Sequence, residues 1–122
     1  MTSDLHHIRL ELAREPGKPG GDRQSGYDIV APLDAAGRLD PRAAQTMKSS
    51  CRVRRFAGGE TVAICWLLSS SHDRWILDFP GSADDEIGFR FGEECFVLGE
   101  YVSLQAPDGA MHTFRVGQLR AL

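Results

Sequence analysis

Residues 99–116 read GEYVSLQAPDGAMHTFRV and spell out a β-hairpin almost completely. In the first arm Val102, Leu104 and Ala106 alternate with Tyr101, Ser103 and Gln105, the period of two of a half-buried strand. Pro107 pre-sets φ at the first turn position, Asp108 tolerates the second and Gly109 takes a left-handed third, as in a type I turn with a Gly bulge. That closure sets Ala106 opposite Ala110. Counting back along both arms puts Leu104 opposite His112 and Val102 opposite Phe114 on the inner face, with Ser103 opposite Thr113 and Tyr101 opposite Arg115 on the outer one. His112 thereby becomes a core-edge residue, and Tyr101 and Arg115 share the outer side.

Upstream of the hairpin the β pattern continues. Residues 5–13 carry Ile8, Leu10 and Leu12 on one side and His7, Arg9 and Glu11 on the other, an amphipathic strand expected at the outside of the sheet. Residues 15–26 hold two prolines, four glycines and no apolar residue, which predicts a long flexible surface loop. Residues 27–32 are extended, and residues 34–37 make a turn. Asp40 offers an N-cap oxygen and Pro41 suits the first helical position, so a short helix is expected over about residues 41–50. Strands follow at residues 51–56, 61–68 and 74–79, the first two joined at Gly58 and Gly59. Val62, Ile64, Trp66 and Leu68 make one face of the second strand apolar and Ala63, Cys65 and Leu67 the other, which predicts a central strand covered on both sides. Trp75, Leu77 and Phe79 are placed against it. After an acidic turn at residues 83–86, residues 87–91 and 95–98 lead into the hairpin. The expected architecture is mainly β: a small antiparallel barrel or strongly bent sheet of about seven to eight strands with one short helix.

The length of 122 residues suits a single domain, 1–122, with a core of its own. No apolar run approaches the length of a membrane span, and residues 1–7 carry Asp4 and no apolar signal core. Cys51, Cys65 and Cys95 are odd in number and set among strand residues, fitting buried reduced thiols. A cytoplasmic protein without membrane attachment is therefore expected. Charge is uneven: residues 1–56 hold ten Lys or Arg against seven Asp or Glu, and residues 57–122 hold four against ten. The basic and acidic stretches are expected to meet and largely neutralise each other.

Arg52 and Arg54 project from the same side of one strand, with Arg55 and Phe56 adjacent, and two guanidiniums so spaced can hold phosphate or carboxylate. Trp75 or Tyr101 would add a stacking surface if outward, and Arg115 a further cation. Pairing of these arginines with Asp78, Asp84, Asp85, Glu86 or Glu93 is the competing expectation. The four histidines and three cysteines lack the CxxC or HxxxH spacing that preorganises zinc, so no metal or cofactor is expected. Residues 69–73, SSSHD, read as turn chemistry, because adjacent residues on a tight loop do not converge into a triad. No catalytic residue is assigned.

The stretches GYDIVAPLDAAGRLD, CRVRRF and GEYVSLQAPDGAMHTFRV resemble segments of small bacterial proteins of unknown function. That resemblance implies a stand-alone bacterial domain and carries over no site residue. The expected function is a non-enzymatic binding or interaction domain whose partner is a protein, acting through a strand surface or the loop at residues 15–26. The alternatives are nucleic-acid or anionic-ligand binding by residues 51–56, through Arg52, Arg54, Trp75, Tyr101 and Arg115, and a small-ligand enzyme with a pocket near His112.

Overall fold

The computed structural model describes residues 4–14, 20–69, 74–78, 86–90, 95–105 and 111–122. Its elements are β1 (Asp4–Arg14), β2 (Asp22–Leu33), α1 (Pro41–Thr46), β3 (Arg52–Ala57), β4 (Glu60–Ser69), β5 (Arg74–Asp78), β6 (Glu86–Arg90), β7 (Tyr101–Gln105) and β8 (Met111–Ala121). The strands form one antiparallel sheet in the order β6-β5-β4-β3-β2-β1-β8-β7. A flat sheet of that order would separate its edge strands by seven steps of about 4.8 Å, about 34 Å. Cα atoms of β6 and β7 instead approach within 8 Å, with no ladder joining them. The sheet is therefore strongly bent and is not closed into a barrel.

The hairpin has the expected register: Tyr101 pairs with Arg115, Val102 with Phe114, Ser103 with Thr113 and Leu104 with His112. Its turn, residues 106–110, lies outside the described residues, as do most of SSSHD and Asp84 and Asp85. Val102 and Phe114 are buried on the concave side, and Tyr101 and Arg115 are exposed. Ile8, Leu10 and Leu12 join them in the core with Ile29, Val53, Cys65, Leu67, Trp75 and Phe96.

Four expectations change. β1 is an interior strand between β2 and β8, because the chain returns after about a hundred residues to pair β8 along it. The segment expected as a loop to residue 26 is strand from Asp22 onward, where Asp22 Oδ1 accepts from Gln24 N–H at 2.9 Å and Asp22 Oδ2 from Ser25 Oγ at 2.8 Å. Gly26, at φ 156°, lies so close to β1 that a Cβ there would collide with the Leu10 carbonyl oxygen. The helix stops at Thr46: Asp40 caps it, accepting from Arg42 and Ala43 N–H at 3.1 Å, but the next residues turn, with Ser50 N–H donating to Met47 O at 2.8 Å. That turn delivers Cys51 to the core and Arg52 to β3. Fourth, β4 is covered on one face only: Cys65 and Leu67 are buried, whereas Val62, Ile64 and Trp66 are 56%, 60% and 40% exposed.

Candidate interaction surface

The convex face is set by the ladder register. Along one row Asp78 of β5 pairs with Trp66 of β4, Trp66 with Arg52 of β3, Arg52 with Val30 of β2, Val30 with His7 of β1 and His7 with Arg120 of β8. The next row runs Ile64, Arg54, Asp28, Arg9 and Gln118. Trp66 and Ile64 thus stand beside Arg52 and Arg54 as immediate cross-strand neighbours. Trp66 is the outward aromatic that strand periodicity alone did not single out. Both faces of β4 are apolar in sequence, so alternation cannot say which one stays open.

Arg54 pairs with Asp28 of the neighbouring strand. Its Nη1 donates to Asp28 Oδ2 at 3.0 Å and its Nε to Thr61 Oγ1 at 2.7 Å. Asp28 Oδ1 accepts from His7 Nε2 at 2.9 Å, and Arg9 Nη1 stands 3.7 Å from Oδ2 while Arg9 Nε donates to Glu11 Oε2 at 3.0 Å. The two guanidiniums lie over Phe56, 4.2 Å and 5.3 Å from its ring centre. Phe56 is 1% exposed but stands apart from the core cluster. It belongs to the convex side by parity, and Arg9 and Arg54 roof it. Phenylalanine and arginines support one another there: the ring face attracts the cations and their stems keep water from the ring. Arg54 is thus held in place by Asp28, Thr61 and the Phe56 ring. Arg52 is exposed and makes no ion pair with another described residue.

The expectation for Trp75 is corrected. It is 0% exposed, on the concave face opposite Ser69, and offers no stacking surface. Tyr101 and Arg115 do share the convex face, beside a hollow of about 240 Å³ that Arg23 and Glu11 also line. They sit three and four strand steps from Arg52, so the residues proposed as one site form two separate patches.

Arg55 points to the other side. It lies over the Tyr27 ring at 5.4 Å and its Nη2 donates to Tyr27 Oη at 3.3 Å; Tyr27 meets Phe114 edge-on at 5.5 Å. With Ser25 and His112 these residues line a cleft of about 180 Å³ at the end of the concave face. A guanidinium, a phenol and an imidazole in one cleft could hold a small anion. Ser25 Oγ at its rim donates to Asp22 Oδ2.

Burial raises the Cys51 thiol above its ordinary pKa, since a thiolate there would lose its water. Cys65 is buried too, Cys95 is half-buried, and none of the three is in a disulfide. Among the described residues no group of three or more His, Cys, Asp or Glu is placed to hold a metal, and no helix is long and apolar enough to cross a membrane. Compared with known proteins, the chain matches no family model, no curated protein and no solved structure. The functional reading therefore stands on this chain's own geometry.

Proposed function

We propose that this protein is a non-enzymatic interaction domain that binds a protein partner through the convex face of β3 and β4. The supporting observation is the row Val62, Ile64 and Trp66, open along the middle of a strand whose Cys65 and Leu67 are core. Contiguous apolar side chains rimmed by polar ones are the composition of a protein contact, and a tryptophan beside an arginine is the usual pair of energetic anchors in one. Single-stranded nucleic acid is supported less. It wants successive aromatics to stack on, and here one tryptophan stands among aliphatics while Asp28 neutralises Arg54. A small-ligand enzyme at the His112 cleft draws support only from the convergence of Arg55, Tyr27 and His112. Three cysteines outside any disulfide favour a reducing compartment, hence the cytoplasm.

The test places a photo-crosslinking benzoylphenylalanine at position 64 of the full chain, with position 118 on the same face as control. A discrete protease-sensitive, nuclease-resistant adduct from position 64 alone, reduced when Trp66→Glu is added, is the expected result. Nuclease-sensitive adducts, or the same adducts from both positions, would overturn the proposal.

A further inference from the structure

Resting on the reading of β4 as a protein-binding face, we infer that its occupant is a second copy of this chain, related by a two-fold axis along β4. The row Asp78, Trp66, Arg52 carries the inference: it sets an acid on one side of the exposed tryptophan and a base on the other. A two-fold axis along the strand keeps each position along β4 and reverses the order of the strands beside it. Every row then meets itself reversed. Trp66 stacks on Trp66 of the other copy, Arg52 falls opposite the other copy's Asp78, and the pair repeats on the far side. Ile64 and Val62 meet their own counterparts, so apolar atoms cover apolar atoms along the row.

The other face-to-face arrangement, with its axis across the strands, lays β3 on β3 and sets Arg52 and Arg54 over the same two arginines. Like charges disfavour it. The charge order thus selects one of two symmetric packings, a self-complementarity that an unrelated partner would not require. Asp78 has contacts of its own within the chain, and a carboxylate has lone pairs for more than one donor. Aligned sheets pack in this way at about 10 Å with a modest twist angle. Three strands over five residues present about 14 Å by 17 Å, far less than the about 800 Å² per partner of a standard interface. A weak dimer follows, with Kd on the order of 100 μM.

Sedimentation equilibrium of the full chain from about 10 μM to about 1 mM brackets that value. Three proteins are compared with the parent: Arg52→Asp, Asp78→Arg and Trp66→Glu, each checked for the parent's far-UV circular dichroism. The parent is expected to dimerise reversibly, and each variant alone to lose affinity at least about tenfold. Mixed in equal amounts, Arg52→Asp and Asp78→Arg place opposite charges in both pairs of the mixed dimer, so association returns in the mixture although neither variant associates alone. Trp66→Glu carries the test if a charge reversal disturbs folding. A parent that stays monomeric throughout, or dimers indifferent to all three substitutions, would overturn the inference. A monomeric parent that still crosslinks from position 64 to another protein refutes the second copy and leaves the protein-binding face standing. Nuclease-sensitive adducts from a monomeric parent refute both.

Discussion

Replacing Asp28 by Asn tests the charge cluster that holds the convex face together. Asp28 is 12% exposed, and its carboxylate joins His7, Arg54 and Arg9. Buried hydrogen bonds to a charged group contribute about 1.5–3 kcal/mol each. The Arg54 side chain is 36% exposed, so water replaces much of what it loses, and the direct loss from the His7 and Arg54 contacts is about 2 kcal/mol. A second loss follows from the roof over Phe56. Without the carboxylate between them, two guanidiniums that converge on one ring repel and splay, and uncovering a fraction of that ring costs about 1 kcal/mol. The sum is about 3 kcal/mol, or about 10 °C in Tm for a domain of this size. Urea unfolding followed by far-UV circular dichroism at low salt measures it. Arg52→Ala, which leaves the cluster intact, serves as control and is expected within about 0.5 kcal/mol of the parent. Asp28→Asn within about 1 kcal/mol of the parent, or Arg52→Ala equally damaging, would refute the cluster as a stabilising unit.

Other outcomes follow from single environments. Gly26→Ala is expected to cost about 3 kcal/mol or more in urea, because the new methyl meets the Leu10 backbone and β1 must shift. Asp40→Ala removes the acceptor for two N–H groups at the start of α1 and should cost about 1 kcal/mol in the same assay. Iodoacetamide in native buffer should label Cys95 before Cys51 and Cys65; burial raises the Cys51 pKa, so its thiolate fraction is smaller than an ordinary thiol's at any alkaline pH. The sign for stability is a loss on alkalinisation: the unfolded thiol ionises first, so the Cys51 contribution is complete below the unfolded pKa and fades as pH rises toward the folded one. Cys51→Ala should flatten that alkaline limb of the urea midpoint. Trp66→Ser should leave stability within about 0.5 kcal/mol while removing the iodide-quenchable part of the tryptophan emission, with the emission of buried Trp75 kept.

Much of the local structure is legible in the chain itself. Counting back from the turn that the sequence PDG at 107–109 predicts assigns the pairs of β7 and β8, and the two arms pair in that register, because a hairpin's register follows from its closure. Asp40 and Pro41 mark the start of α1 for the same local reason: a side-chain oxygen and a preset φ act within three residues. Alternation in β1 separates Ile8, Leu10 and Leu12 from their polar neighbours because only one of its faces is apolar. The sites were less legible. Period two distributes β4 over two faces, yet when both are apolar it cannot name the buried one, so alternation alone does not say that Trp66 is exposed and Trp75 buried.

Those choices belong to contacts between segments far apart in the chain. β8 returns to flank β1, and the bend of the whole sheet makes one side concave, which buries Cys65, Leu67 and Trp75 and leaves Val62, Ile64 and Trp66 outside. Asp28 reaches Arg54 across 26 residues because β2 and β3 pair in that register, a counter-charge that sequence proximity does not reveal. Turns, caps and one-sided alternation are written by residues a few positions apart, where covalent geometry and single hydrogen bonds decide. Which apolar face is buried, and which carboxylate meets which arginine, depends on how the sheet bends as a whole.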